Sequence, residues 1–249
     1  LSVIALALGY WSGQEKQGDS SSGDVNSSEK KEPDFLREGL VAYYPFNGNA
    51  SDETGNGYDG KVNGATLADD RNGKKDSCYS FDGSSSILGN SIPFAAEYTM
   101  SGWFNTVSEK PMMLINMSQP ESKLCHSFVQ YNQRDYYEHP AGIRAGNRMP
   151  SDVSGCNIYN KKTLGNKWHQ VVCVKSVNTF TLYVDGVSES FKNDNSKRDA
   201  VVAHLKIGEN FDNLYFDGSI DDIRIYNRAL SEEEVKALYE WENPKNNNH

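Results

Sequence analysis

Long apolar runs are missing from this 249-residue chain. The nearest thing is LSVIALALGYW at 1–11, well short of the roughly 20 residues a spanning helix needs. It resembles the hydrophobic part of a secretory signal, with the small pair Ser12-Gly13 behind it. Gln14 stands about where a lipoprotein cysteine would, so the residues present do not support a lipoprotein anchor and leave lipid anchoring open. Cysteine is scarce too. The four present, Cys78, Cys125, Cys156 and Cys173, contain no CxxC pair, which excludes a zinc pattern and a dense disulfide framework. Positive charge is in deficit, with 25 Lys and Arg against 34 Asp and Glu and a net charge of −9. That removes the basic footprint nucleic acid requires and disfavours anionic membranes. There is no GxSxG. His126, His139, His169 and His204 lack metal-ligand spacing, and Gly55-Asn56-Gly57 does not join a strand to a helix.

What is present centres on FDGSIDDIRIYNRALSEEEVKALY at 216–239. Asp217-Gly218 reads as a turn. Ser219 to Tyr226 alternates, with Ile223 and Ile225 on one face and Asp222, Arg224 and Tyr226 on the other, as in a half-buried strand. Ser231 and Glu234 make a capping box ahead of an apolar stripe of Val235, Leu238 and Tyr239, so a helix starts there. Asp221 falls on the core-facing side, where a carboxylate is costly unless paired. An arginine or a cation could pair it, or it could reach back to solvent.

Residues 13–33 are Ser, Gly, Asp, Glu, Lys and Asn with almost nothing apolar, the composition of a flexible linker. Beyond it come strand-like segments at Leu40–Phe46, Lys61-Val62, around Tyr79 and Phe81, Tyr98–Val107, Met112–Met117 and Ser127–Tyr131. Trp168–Lys175, Thr179–Val184 and Val187–Phe191 follow, the last two joined by Asp185-Gly186 as a tight hairpin, and Leu205–Gly208 precedes the closing unit. The expected fold is all-β, a two-sheet antiparallel β-sandwich with a short C-terminal helix. The expected division is 1–12 signal-like, 13–36 linker, 37–242 sandwich and 243–249 polar tail.

The 216–239 stretch resembles the closing strand and helix of laminin-G-like jelly-roll domains in the concanavalin A-like lectin/glucanase superfamily. LVAYYPFNGNASDETGNGYDG at 40–60, CYSFDGSSS at 78–86 and KWHQVVCVKSVNTFTLYVDGV at 167–187 match in the expected order. The superfamily holds lectins, adhesion modules and glycosidases, so the resemblance implies a fold more sharply than a function. Its glycosidases carry Glu-x-Asp-x-x-Glu on one strand. No such run occurs here, and Glu232, Glu233 and Glu234 serve a helix start, so the chain is not expected to be an enzyme. The resemblance also implies a structural calcium bridging the first and last strands, carried over onto Asp52 and Asp221. The Asn- and Gly-rich loop adds Asn47 and Asn49 as oxygen donors, although a hydrogen-bonded turn at Asp52 is the alternative.

The stretch 119–165 is polar, aromatic and irregular, as a recognition surface would be. Tyr131, Tyr137 and Arg144 are its candidate ligand-binding residues, with rings to stack on sugars and a guanidinium to bind hydroxyls. The expected function is noncatalytic glycan recognition outside the cell, whether secreted, at the cell surface or periplasmic. A protein-binding adhesion module on a cell-surface partner is the alternative, and a hydrolase or lyase with a dispersed site is a third reading. Cys125–Cys156 and Cys78–Cys173 are open as disulfides or thiols.

Overall fold

The computed structural model describes residues 31–118, 125–131, 142–149, 152–160, 164–193, 201–210 and 213–243. The calls on residues 1–30 and on Tyr137 lie outside them. In chain order the described strands are β1 Leu40–Tyr44, β2 Lys61–Asn63, β3 Thr66–Ala68, β4 Cys78–Asp82, β5 Ser86–Phe94, β6 Tyr98–Asn105 and β7 Met112–Ser118. They continue with β8 Cys125–Tyr131, β9 Ile143–Met149, β10 Asp152–Tyr159, β11 His169–Lys175, β12 Thr179–Val184, β13 Val187–Asn193, β14 Val201–Ile207 and β15 Asp217–Tyr226. A short 3-10 turn at Asp34–Leu36 precedes β1, and among the described residues the one α-helix, α1 Glu232–Glu242, follows β15.

The strands form two antiparallel sheets. The first runs β13-β12-β11-β6-β15-β4-β3, with β1 also on β15; the second runs β10-β9-β8-β7-β14-β5-β2. Ala42, Tyr44, Phe104, Val171, Leu182, Ile223 and Ile225 from the first sheet meet Ile87, Ile115, Met117, Val129 and Leu205 from the second in one apolar core. Burial of such side chains is the main stabilising contribution, about 1.5–3 kcal/mol each. The expected sandwich is therefore present. Asp185 and Gly186, both at positive φ (51° and 73°), make the two-residue turn between β12 and β13.

The folded unit starts at Glu32, before residue 37. Leu36 is fully buried, in a second cluster with Val172, Val174, Tyr183, Tyr226, Leu230, Val235 and Leu238. That cluster lies on the far side of the first sheet, under α1. Both faces of β15 are consequently buried, which strict alternation did not anticipate. Asp217-Gly218 opens the strand rather than turning ahead of it. Gly218, at φ 143°, is needed because a Cβ there would run into the carbonyl oxygen of Asn105.

Candidate functional site

Strand β15 changes neighbours midway. Its first half pairs with β4 and its second with β1, while β6 flanks it throughout. At the changeover the register against β6 slips between Asp221 and Arg224, and Asp222 takes a left-handed φ of 47°. Ile220 and Ile223, three apart, both enter the main core, so the extra residue is absorbed in a bulge. Asp221 is thereby turned out of the core-facing phase that alternation assigned it. Asp222 is 8 % exposed and Arg224 1 %, so neither faces solvent as expected.

Arg71, from the loop between β3 and β4, fills the gap. Its Nη1 bonds Asp221, its Nη2 donates to Asp222 Oδ2 at 2.6 Å, and its Nε donates to the Glu242 carbonyl at 2.9 Å. Its guanidinium lies 4.7 Å from the Trp103 ring centre. Glu242, the last residue of α1, accepts from Trp103 Nε1 at 2.7 Å, Gln170 Nε2 at 2.9 Å and Arg224 Nε at 2.8 Å. Arg224 also pairs with Glu32, and Tyr43 donates to Asp222 Oδ1. Burial and the adjacent Asp222 charge push the Asp221 carboxyl up to about 9 despite Arg71. Burial raises Glu242 as well. The network fastens the helix end and the chain entry to the sheet. It is a structural centre with no open face.

The residues expected to hold calcium do not fit that ion. Asp221 has a guanidinium where the cation was expected. Asp52 accepts from the backbone amides of Tyr43, Thr54 and Tyr58 and from the Thr54 hydroxyl. Asn47 Oδ1 accepts from Lys74 Nζ and Asn49 Oδ1 from the Ser51 amide. Among the described residues no three His, Cys, Asp or Glu side chains are grouped to hold a metal. The loop has another use. With Glu53 N bonding Tyr43 O, and Thr54 and Asn56 bonding Val41 O, it covers the open edge of β1.

Tyr131 points inward, into the main core, with its ring 5.7 Å from Phe104. It cannot meet a ligand there. Arg144 does lie on the outer face of the second sheet, since its neighbours Ile143 and Ala145 enter the core. Two cross-strand rows cover that face. Met113, Gln130, Arg144 and Tyr159 form one; Lys206, Asn116, Phe128, Gly146 and Asn157 form the other. The Arg144 guanidinium stands 5.2 Å from the Phe128 ring centre and 5.9 Å from that of Tyr159. Its Nη2 donates to Asn157 Oδ1 at 3.2 Å and its Nη1 to Gln130 Oε1 at 3.5 Å. Phe128 and Gln130 are buried, whereas Arg144, Asn157 and Tyr159 are half-buried. Both amide atoms of Asn116 and the hydroxyl of Ser118 are buried there without a hydrogen-bond partner among the described residues. Sequence reasoning missed Phe128, Asn157, Tyr159 and Asn116. Alternation through Val129 and Tyr131 would have assigned Tyr131 to the core and Phe128 and Gln130 to the opposite face.

Cys78 and Cys173 are separate buried thiols, so that pair is not a disulfide. Burial lifts the Cys78 thiol to about 12. Cys125 and Cys156 sit on β8 and β10 with β9 between them. Two strand spacings of about 4.8 Å exceed the Cα separation a disulfide spans. His169 is structural, with Nδ1 2.8 Å from Asp185 Oδ2. Among the described residues no helix is long and apolar enough to cross a membrane.

A family model described as the concanavalin A-like lectin/glucanases superfamily, of laminin G type, matches residues 81–236. The chain belongs to this superfamily. It is similar to domain 4 of AbnA, a GH43 extracellular arabinanase from Geobacillus stearothermophilus solved with arabinotriose. That likeness has 20% identity and a TM-score of 0.63 over 80% of this chain and 98% of that one. The binding domain of Paraclostridial Mosquitocidal Protein 1 is similar at 19% identity and a TM-score of 0.63, over 83% of this chain and 53% of that one. The botulinum neurotoxin serotype D ligand binding domain, solved with N-acetylneuraminic acid, is similar at 18% identity and a TM-score of 0.60, over 83% and 52%. The superfamily domain thus spans about half of those toxin domains. No match was found among curated proteins.

Proposed function

We propose that this superfamily domain is a noncatalytic, extracellular glycan-recognition module, and that the outer face of its second sheet carries the site. The observation that carries the reading is Arg144, held between two aromatic rings and flanked by the side-chain amides of Gln130 and Asn157. Few rotamers remain to be lost on binding, because packing has already fixed the cation. Tyr159 offers a ring for a sugar face, and Arg144 and Asn157 offer donors and acceptors for hydroxyls. The sugar-containing complexes of the arabinanase domain and the serotype D binding domain support this class of ligand.

The test is a glycan array probed with residues 32–249 as wild type and as Tyr159→Ala. The reading expects discrete wild-type hits that the variant loses while melting normally. Hits unchanged in the variant would move the site elsewhere.

A further inference from the structure

The edge where the two sheets meet carries a cavity of about 320 Å³, near the lower end of small-molecule sites. Four separate segments line it: Leu40 at the start of β1, Asn56 and Tyr58 from the edge-covering loop, Pro93 and Phe94 at the end of β5, and Asn227 after β15. None of its lining residues is charged. Phe94 is buried in the main core and Tyr58 is packed against it, which gives an apolar floor and an aromatic wall. The polar groups are carboxamides and a phenol. Asn56 Nδ2 donates to the Val41 carbonyl at 2.8 Å, which fixes that amide and leaves its oxygen as an acceptor. Asn227 is anchored by its backbone N–H to the Gly39 carbonyl at 2.9 Å. Gly39, at φ 71°, keeps the wall open, because a Cβ there would approach Asn227 Oδ1 to 2.7 Å.

We propose that this pocket binds a single neutral sugar residue, as a site separate from the Arg144 face. An uncharged lining offers nothing to offset the desolvation of an anion. An aromatic wall, an apolar floor and fixed carboxamides match a ring with one apolar face and a hydroxyl rim. The choice of a sugar rests on the glycan reading above; the position does not.

Saturation-transfer NMR tests it with a panel of neutral methyl glycosides (gluco-, galacto-, manno- and xylopyranosides and an arabinofuranoside) and with N-acetylneuraminic acid as the anionic comparison. The proteins are wild type, Asn227→Ala, Tyr58→Ala and Tyr159→Ala, each checked by its melting curve. Asn227 is exposed at the rim, so its variant keeps the fold even if Tyr58→Ala does not. The expected result is transfer to at least one neutral glycoside that Asn227→Ala abolishes and Tyr159→Ala retains. Transfer kept by Asn227→Ala and lost by Tyr159→Ala would overturn the pocket and leave the Arg144 face standing. Loss in both variants would show one shared site and overturn it as well. So would the absence of transfer from every neutral glycoside.

Discussion

Arg71 occupies the place beside Asp221 and Asp222 where a cation was expected. Its side chain is 5 % exposed and reaches two carboxylates, the Trp103 ring and a helix-end carbonyl. Removing one partner of a buried ion pair leaves uncompensated charge and costs about 3–5 kcal/mol. Arg71→Ala should therefore lower the unfolding free energy read from urea titration by that amount. Chelator should leave the wild-type melting temperature unchanged, because an ion bound to the native state would show its loss as a drop. A fall on chelation that Asp221→Ala abolishes would contradict this account. The raised Asp221 carboxyl adds a pH signature. Its folded value lies above the unfolded 3.8, so between about pH 4 and 9 the native state holds a proton that the unfolded chain releases. Asp221 thus contributes most below about pH 4, and that contribution is lost as pH rises toward 9. Asp221→Asn mimics the protonated form. Denaturant titrations at about pH 5 and pH 8 should show wild type losing stability relative to the variant; parallel losses would mean that Asp221 does not titrate there.

At the scale of elements, the strand β15 and helix α1 were legible where local rules act alone. The capping box forms as the spacing implied, with Ser231 Oγ accepting from Glu234 N and Glu234 reaching back to Ser231 N. Ser231→Ala should cost about 1 kcal/mol of stability, read by thermal melting, whereas Leu238→Ala beneath the helix should cost about 2–5 kcal/mol. Equal effects would mean that α1 does not cover the sheet as described. The bulge was not legible. It is set by the exchange of β4 for β1 along β15, a tertiary event that leaves no mark in IDDIRIY. Strand β5 went unseen because Gly89 and Pro93 interrupt SILGNSIPF. Strands β9 and β10 went unseen because Gly, Asn and Arg at alternate positions read as loop.

Taken whole, the sandwich has two unlike outer faces. The first sheet is closed over by α1, with an ion network at one end and apolar packing at the other. The second carries Arg144, Tyr159 and Asn157 in register across β9 and β10. The architecture was legible because four segments, in order, resemble those of laminin-G-like jelly-roll domains, a family that the chain matches over residues 81–236. Of the proposed site only Arg144 was legible: such a face is assembled across strands, and no single strand shows its neighbours. A noncatalytic binding module with this face should show affinity without turnover. Isothermal titration of an array-identified glycan, with wild type against Arg144→Gln and Tyr159→Ala, tests that most directly. The account predicts saturable wild-type binding with intact glycan recovered afterward, weakened at least about tenfold, or about 1.4 kcal/mol, in each variant. Undiminished binding by both variants, or release of cleaved glycan, would contradict it.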